Sequence, residues 1–178
     1  VRNLLTFARK RQTTRAMVDV NQVVRETLAL RAYEQRVSNL AVIDALAAGL
    51  PLVFADGHQV QQVLLNLILN ALQHGFAEPA PTDSPNIAIR VRTLPIGDLV
   101  IEFVDNGHGI DKQHHGRIFE PFFTTRRMLG GSGPGLYIVN QIVTRKLDGT
   151  INIAEQNQLG TRFVLTFPRL SRFRAVLS

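Results

Sequence analysis

Fifteen consecutive residues without a charge, QVQQVLLNLILNALQ from Gln59 to Gln73, limit the fold more than any other stretch of this chain. At helical spacing the amides Gln59, Gln62, Asn66, Asn70 and Gln73 share one face within an arc of about 80°. Val60, Val63, Leu64, Leu67, Ile68, Ala71 and Leu72 cover the remainder, so the helix must be buried on most sides. Asp56 is placed as N-cap, with Gln59 as the reciprocal partner of a capping box. A neutral amide stripe on a buried helix needs polar company. It can be a ladder bonded to neighbouring backbone, or a set of oxygen ligands for a hard cation such as magnesium, which keeps waters and substrate phosphates around it.

Two further stretches carry chemistry. LVIEFVDNGHGI, residues 99–110, runs an apolar strand into Asp105 and then into Gly107 and Gly109. The carboxylate is an acceptor-only group, and the glycines are expected to turn with positive φ and admit a ligand without Cβ clashes. Adenine suits such a strand end because its amino group donates, whereas guanine would present a carbonyl oxygen. A plain hairpin turn is the other reading. GGSGPGLYIVNQIVTRKLDG, residues 130–149, opens a helix with a glycine-rich turn. Gly131, Gly133 and Gly135 can gather N–H groups at its positive end, a site for phosphate, unless this is only a flexible loop. Pro134 suits the first turn and Gly149 the C-cap. Neither GxxxxGK[ST] nor a GxGxxG after a strand is present.

In this order and spacing the motifs resemble the ATP-binding domain of sensor histidine kinases. LLNLILNALQH is similar to that family's asparagine box, DNGHGI to its first glycine box, IFEPFFTT to its phenylalanine box and GGSGPGL to its second glycine box. DGTINIAEQNQLGTRFVLTFP resembles its closing strands, with Gly160 and Thr161 before the last. The resemblance implies ATP and Mg2+ as cofactors. Asn70 would hold magnesium, Asn66 would serve the phosphate side, and Asp105 would read the adenine amino group. Gly107 and Gly109 would line the base pocket, Gly131, Gly133 and Gly135 would meet the phosphates, and Ile110, Ser132, Leu136 and Thr161 would also bind the nucleotide. Gln73, His74, Phe119, Thr124 and Thr125 complete the expected nucleotide shell, and residues 111–131 would form a mobile lid.

Three departures from the family pattern have consequences. Pro134 replaces a usual leucine and removes one N–H from the phosphate cradle. Arg126 and Arg127 follow the threonine pair where a lysine is usual; Arg126 is the preferred γ-phosphate ligand, as a permanently charged fork. Gln73 stands where lysine is frequent. Within the lid, Phe119, Phe122 and Phe123 are expected to pack on the core and to anchor the lid. His108, His114 and His115 match no zinc spacing, and the chain has no cysteine.

With 178 residues, 45% of them hydrophobic, the chain can bury one core. The absence of cysteine excludes disulfides. No run of 18 apolar residues predicts a membrane span, and VRNLLTFARKR is too polar for a signal peptide. The net charge of +6 lies outside the motifs: residues 37–161 hold eight basic and eleven acidic side chains, a net of −3. Basic residues concentrate in 1–36 and 162–178, where a solvated helix face explains them as well as nucleic acid does.

Predicted helices cover 21–36, with Val18–Val37 as the full helical reading, 58–73 and 135–147. Predicted strands are Leu40–Asp44, Leu52–Phe54, Asn86–Thr93, Leu99–Val104, Thr150–Ala154 and Arg162–Phe167. Alternation in IAIRVR makes one sheet face wet. The expected fold class is α+β: a two-layer α/β sandwich of the Bergerat ATP-binding type, with a mostly antiparallel mixed sheet and three helices on one face. Residues 1–15 resemble the end of a dimerisation hairpin, 16–168 the catalytic domain, and 169–178 a tail.

No histidine precedes His58, so the resemblance implies a phosphoacceptor histidine on a dimerisation domain outside these residues. The implied function is transfer of the ATP γ-phosphoryl group to that histidine, for relay to a response regulator receiver domain. The expected setting is a cytoplasmic domain, compatible with a membrane anchor elsewhere. The longer protein would be a homodimer and this fragment a monomer. A glutamate four residues before the magnesium asparagine, which marks the water-activating ATPases of the superfamily, is replaced by Asn66. A related serine kinase and a catalytically impaired nucleotide-dependent binding module are the alternatives.

Overall fold

The computed structural model describes residues 15–31, 41–77, 79–123, 135–156 and 158–168. In chain order the elements are β1 (Ala16–Val18), α1 (Val20–Arg31), β2 (Ala41–Leu46), β3 (Val53–Ala55), α2 (Gly57–Asn70), β4 (Asn86–Thr93), β5 (Leu99–Asp105), α3 (Gly135–Gln141), β6 (Thr150–Ala154) and β7 (Arg162–Phe167). The main sheet has the order β2-β4-β5-β7-β6, and β1 with β3 forms a separate antiparallel ribbon. Only β2 and β4 run parallel; the remaining neighbours in the main sheet are antiparallel. The architecture is the α+β sandwich that the alternating strands and the amphipathic helices predict.

Side-chain alternation determines which sheet face meets the helices. Ile87, Ile89 and Val91 of β4 are fully buried with Ile101 and Phe103 of β5 and Phe163 and Leu165 of β7. Against them lie Val60, Val63, Leu64, Leu67 and Ile68 of α2, the central helix, which packs on both α1 and α3. The uncharged helix is thus covered by sheet on one side and by helices on two others. The opposite sheet face is wet but organised. Glu102, only 5% exposed, accepts from Arg92 at 3.1 Å and Arg162 at 2.9 Å, with Arg90 at 3.9 Å.

Burial pushes the Glu102 carboxyl up, but the hydrogen bonds and charges of Arg92 and Arg162 outweigh it and hold the group below the usual glutamate range. Its folded value is therefore below its unfolded one. The stability it contributes is complete above the ordinary glutamate range and is lost as pH falls through the depressed folded value. Glu102→Gln is expected to cost about 1–2 kcal/mol at neutral pH, discounted for the half-exposed arginines, and to flatten the acid limb of a stability-versus-pH curve. Urea melts of parent and variant at several pH values measure both.

Several boundaries differ from expectation for local reasons. Val18 ends a strand and does not begin a helix, because Asp19 caps α1: the Gln22 N–H donates to Asp19 Oδ1 at 3.3 Å and the Val23 N–H to its carbonyl at 3.1 Å. The strand β1 was not expected at all; three residues are too few for a periodic signal, and its partner β3 lies far along the chain. β2 and β3 are displaced by one residue at their starts from the expected 40–44 and 52–54. Asp56 caps α2 as expected, accepting from the His58 N–H at 2.9 Å. The helix then widens into a π-helical turn at Ala71–Gly75 instead of ending at residue 73.

The last helix likewise passes into a π-helical turn at Ile142–Lys146. Gly149 was expected as its left-handed cap, but Asp148 takes that conformation, with φ +53°. Gly149 is needed for space: a Cβ there would lie 2.6 Å from the Thr166 carbonyl and 2.9 Å from the Phe167 ring. Residues 1–14 of the expected extension 1–15, the expected tail 169–178, and the predicted helical residues 32–36 lie outside the described residues.

Candidate functional site

One cavity of about 800 Å³ opens between α2, the end of β5, the start of α3 and the loop joining β6 to β7. That size accommodates a nucleotide. Its α2 wall is the amide face: Gln62, Asn66, Asn70, and beyond the helix Gln73 and His74. Val60, Val63, Leu64, Leu67 and Ile68 of α2 are committed to the core, so its polar stripe, with the exposed Leu69 beside it, is turned to the remaining open side. Gln62 donates to Asn66 Oδ1 at 3.2 Å, a bond across one helical turn that steadies the Asn66 amide. Gln59, one turn nearer the helix start, does not border the cavity.

Asp105 is the buried floor of the cavity, 4% exposed. Its Oδ1 accepts from the Gly107 N–H at 2.9 Å and from the Thr161 N–H at 3.3 Å. Neither bond uses Oδ2. Burial pushes the Asp105 carboxyl above the usual aspartate range, and these two backbone N–H groups pull it back in part. The carboxylate is held in one orientation by the backbone around it, as a recognition group requires.

Three backbone segments interlock at this floor, and glycine makes the approach possible. The His108 N–H donates to the Gly75 carbonyl at 2.7 Å, and the Asp105 N–H to the Thr161 carbonyl at 2.9 Å. A Cβ on Gly107 would overlap the backbone of Gly75, one on Gly160 would overlap the Asp105 carbonyl, and one on Gly109 would lie 2.8 Å from the Gly160 carbonyl. Gly109 turns with φ +78° and lines the cavity, but Gly107 does not have positive φ. The requirement at Gly107 is close packing against the end of α2, which corrects the expected turn at that residue.

Of the remaining expected residues, Ile110, Gly135, Leu136 and Thr161 border the same cavity. Phe119 does not; its ring sits 6.4 Å from that of Phe163 over the core, and Ile118 and Phe123 border the cavity in its place. Phe123 is flanked by His114, with ring centroids 5.4 Å apart, and by the Arg117 guanidinium at 4.9 Å. His108 Nε2 lies 2.8 Å from the Ala77 carbonyl and His115 Nε2 2.9 Å from that of Ile110, so both rings brace loops as donors. Thr124, Thr125, Arg126, Arg127, Gly131, Ser132, Gly133 and Pro134 lie outside the described residues.

Gly75 and Gly160 were not anticipated as site residues. Gly160 had a signal, its place before Thr161 in the closing strands; Gly75 had none beyond following His74, because its role depends on a contact with residues 107–108. The rim formed by Ala154, Glu155, Gln156, Gln158 and Leu159 was also unforeseen, and Glu155 reaches Lys112 across it at 3.1 Å.

Residues 55–171 match the family described as histidine kinase-, DNA gyrase B-, and HSP90-like ATPase. The chain is 33% identical over 170 residues to the signal transduction histidine-protein kinase AtoS of Escherichia coli K12, an alignment covering 94% of this chain and 26% of AtoS. It therefore spans about a quarter of that relative. The catalytic domain of histidine kinase ThkA superposes with a TM-score of 0.72 at 26% identity, over 88% of this chain and 98% of that domain. A structure of ThkA in complex with the response regulator protein TrrA shares the fold, with a TM-score of 0.73 at 23% identity over 96% of this chain and 46% of that one.

Proposed function

The chain belongs to the histidine kinase-, DNA gyrase B-, and HSP90-like ATPase family, as the ATPase catalytic domain of its sensor histidine kinases, and on that premise we propose that it holds Mg·ATP in the cavity and donates the γ-phosphoryl group to a histidine. The acceptor would lie on a dimerisation domain of the same longer protein, and the phosphoryl group would pass on to a response regulator receiver domain. The observation that carries this reading is the α2 wall, which offers Asn66 and Asn70 to the cavity and no carboxylate. The neutral amides of Asn66 and Asn70 can orient phosphates, but at position 66 no carboxylate stands ready to activate water, which favours transfer over hydrolysis.

Each group has a stated part. Asp105 Oδ2, left over by the backbone donors, would accept from the adenine amino group, and Gly109, Ile110 and Thr161 would bound the base. The donor set suits magnesium: Asn70 brings a neutral amide to the border of open space, as expected for an ion that keeps waters and substrate phosphates, and Asn66 would serve the phosphate side. Magnesium, when bound, would neutralise the phosphate oxygens. Gly135 and Leu136 stand where α3 begins, so the phosphates would meet the positive end of that helix. Gln73, His74, Thr124, Thr125, Gly131, Ser132 and Gly133 remain proposed members of the nucleotide shell, and Arg126 the proposed γ-phosphate ligand.

Asn70→Ala is expected to abolish the magnesium dependence of nucleotide binding while leaving metal-free ADP affinity within about threefold, since the adenine contacts are elsewhere. Calorimetric titration of ADP with and without magnesium checks it. The activity itself is tested by incubating the chain, labelled ATP and a separate histidine-bearing dimerisation hairpin. Label that enters the hairpin and is lost in acid but stable in base is expected. Acid-stable label on serine, or phosphate release without transfer, would overturn the kinase reading.

A further inference from the structure

We propose, resting on the phosphoryl-transfer reading, that Arg15 is a positioning residue that aligns this domain with the histidine-bearing domain preceding it. Arg15 stands immediately before β1, and its guanidinium reaches across more than 130 residues of sequence to the far end of the last helix. One nitrogen donates to the Lys146 carbonyl at 3.1 Å and another meets Asp148 Oδ2 at 3.5 Å. The helix it grips is the one that opens at the cavity: Gly135 and Leu136 border the site, and Lys146 closes the π-helical turn at the other end. The two ends are separated by about 18 Å at ordinary helical rise.

Both contacts have a physical logic. Carbonyls at a helix end lack intrahelical donors, and a cation there also meets the negative end of the helix dipole. Asp148 holds the left-handed conformation, φ +53°, that aspartate tolerates better than most side chains, two residues past the end of the helix. The paired side chains are 25% and 38% exposed, more sheltered than the ion pair at the cavity rim, Lys112–Glu155. Pairing of Ala16–Val18 with Val53–Ala55 adds a second point of attachment. The chain is thus held in position and direction where it joins the domain, relative to the helix that would face the phosphates.

Phosphoryl transfer between domains depends on alignment of donor and acceptor, and misplacement by about 1 Å can cost a hundredfold in rate. Releasing Arg15 would leave the cavity intact and loosen that alignment. Arg15→Gln, which removes the charge, and the isosteric Asp148→Asn are made in the longer protein together with Arg15→Lys. Autophosphorylation turnover and ATP KM are measured, and the same variants of the isolated chain are assayed on a separate hairpin, where no covalent connection guides the encounter.

Expected are a fall of about tenfold in turnover for Arg15→Gln and Asp148→Asn in the joined protein, an ATP KM within about twofold of the parent, partial rescue by Arg15→Lys, and no change with the separate hairpin. Unchanged turnover in the joined protein would overturn the inference, as would a parallel rise in ATP KM beyond twofold, which would make Arg15 a support of the fold. A parent that binds ADP but transfers nothing to histidine would overturn the kinase reading, and this inference with it.

Discussion

Asp105→Asn is expected to weaken ADP binding ten- to a hundredfold, the equivalent of about 1.5–3 kcal/mol for one charge-assisted hydrogen bond in a buried site. The substitution is informative because it leaves the floor standing. Asparagine keeps an oxygen at the position of Oδ1, where the Gly107 and Thr161 N–H groups donate, and replaces Oδ2 by an amide nitrogen that would face the adenine amino group donor to donor. The effect on stability runs the other way. Burial raises the folded pKa of Asp105 above its unfolded value, so the ionised carboxylate costs stability at neutral pH, and that cost is relieved as pH falls through the raised folded value toward the unfolded one. The variant is therefore expected to melt no lower than the parent while binding far more weakly. Parent affinity should also decline on acidification as Asp105 protonates, and the variant should not follow it. Calorimetric titration across pH and thermal melts on the same samples measure all three; a variant with parental affinity would remove Asp105 from the site.

Gly160→Ala is expected to destabilise the domain by about 3 kcal/mol or more and to lower its melting temperature by roughly 6–12 °C. Gly160 has φ +112°, where side chains are strained, and its added Cβ would overlap the Asp105 carbonyl. The loop must move, and Thr161, which exchanges hydrogen bonds with Asp105, moves with it. ADP binding should fall along with stability, unlike in Asp105→Asn. Gly49→Ala is the control: φ there is +70° with nothing within 4 Å of a Cβ, so it carries backbone strain without overlap. It should cost about 1 kcal/mol and leave ADP affinity unchanged. Equal melting temperatures for the two alanine variants would show that the close approach at Gly160 has been overstated.

The contrast between these residues shows what could be read from the chain alone. A period of 3.6 put the amide face on α2, and alternation in β4 separated Ile87, Ile89 and Val91 from Arg90 and Arg92, because both patterns are local and each repeats several times. Asp105 stood out because a carboxylate at the end of an apolar strand is costly to bury unless donors meet it, and the glycines beside it let donors approach. Phe119 packs over Phe163, as expected of a loop phenylalanine that anchors on the core, and it does not border the cavity; a phenylalanine in a loop reads the same in sequence whether it faces a ligand or another ring. Gly107 was assigned the wrong reason, since a glycine that spares a neighbouring backbone cannot be told in sequence from one that turns.

Periodicity and short-range spacing were enough for most helices and strands, for the polar face of α2 and for the carboxylate at the strand end, and the resemblance of the motifs for the family; three-residue β1 carried no such signal. Only packing in three dimensions brings Gly75, Gly107 and Gly160 to one floor, gathers Arg92 and Arg162 on Glu102 at the wet face, and sets Arg15 against the far end of the last helix. These contacts join residues from ten to more than 130 positions apart. Their distances are set by how helices and strands pack in three dimensions, and no local pattern in the chain encodes that.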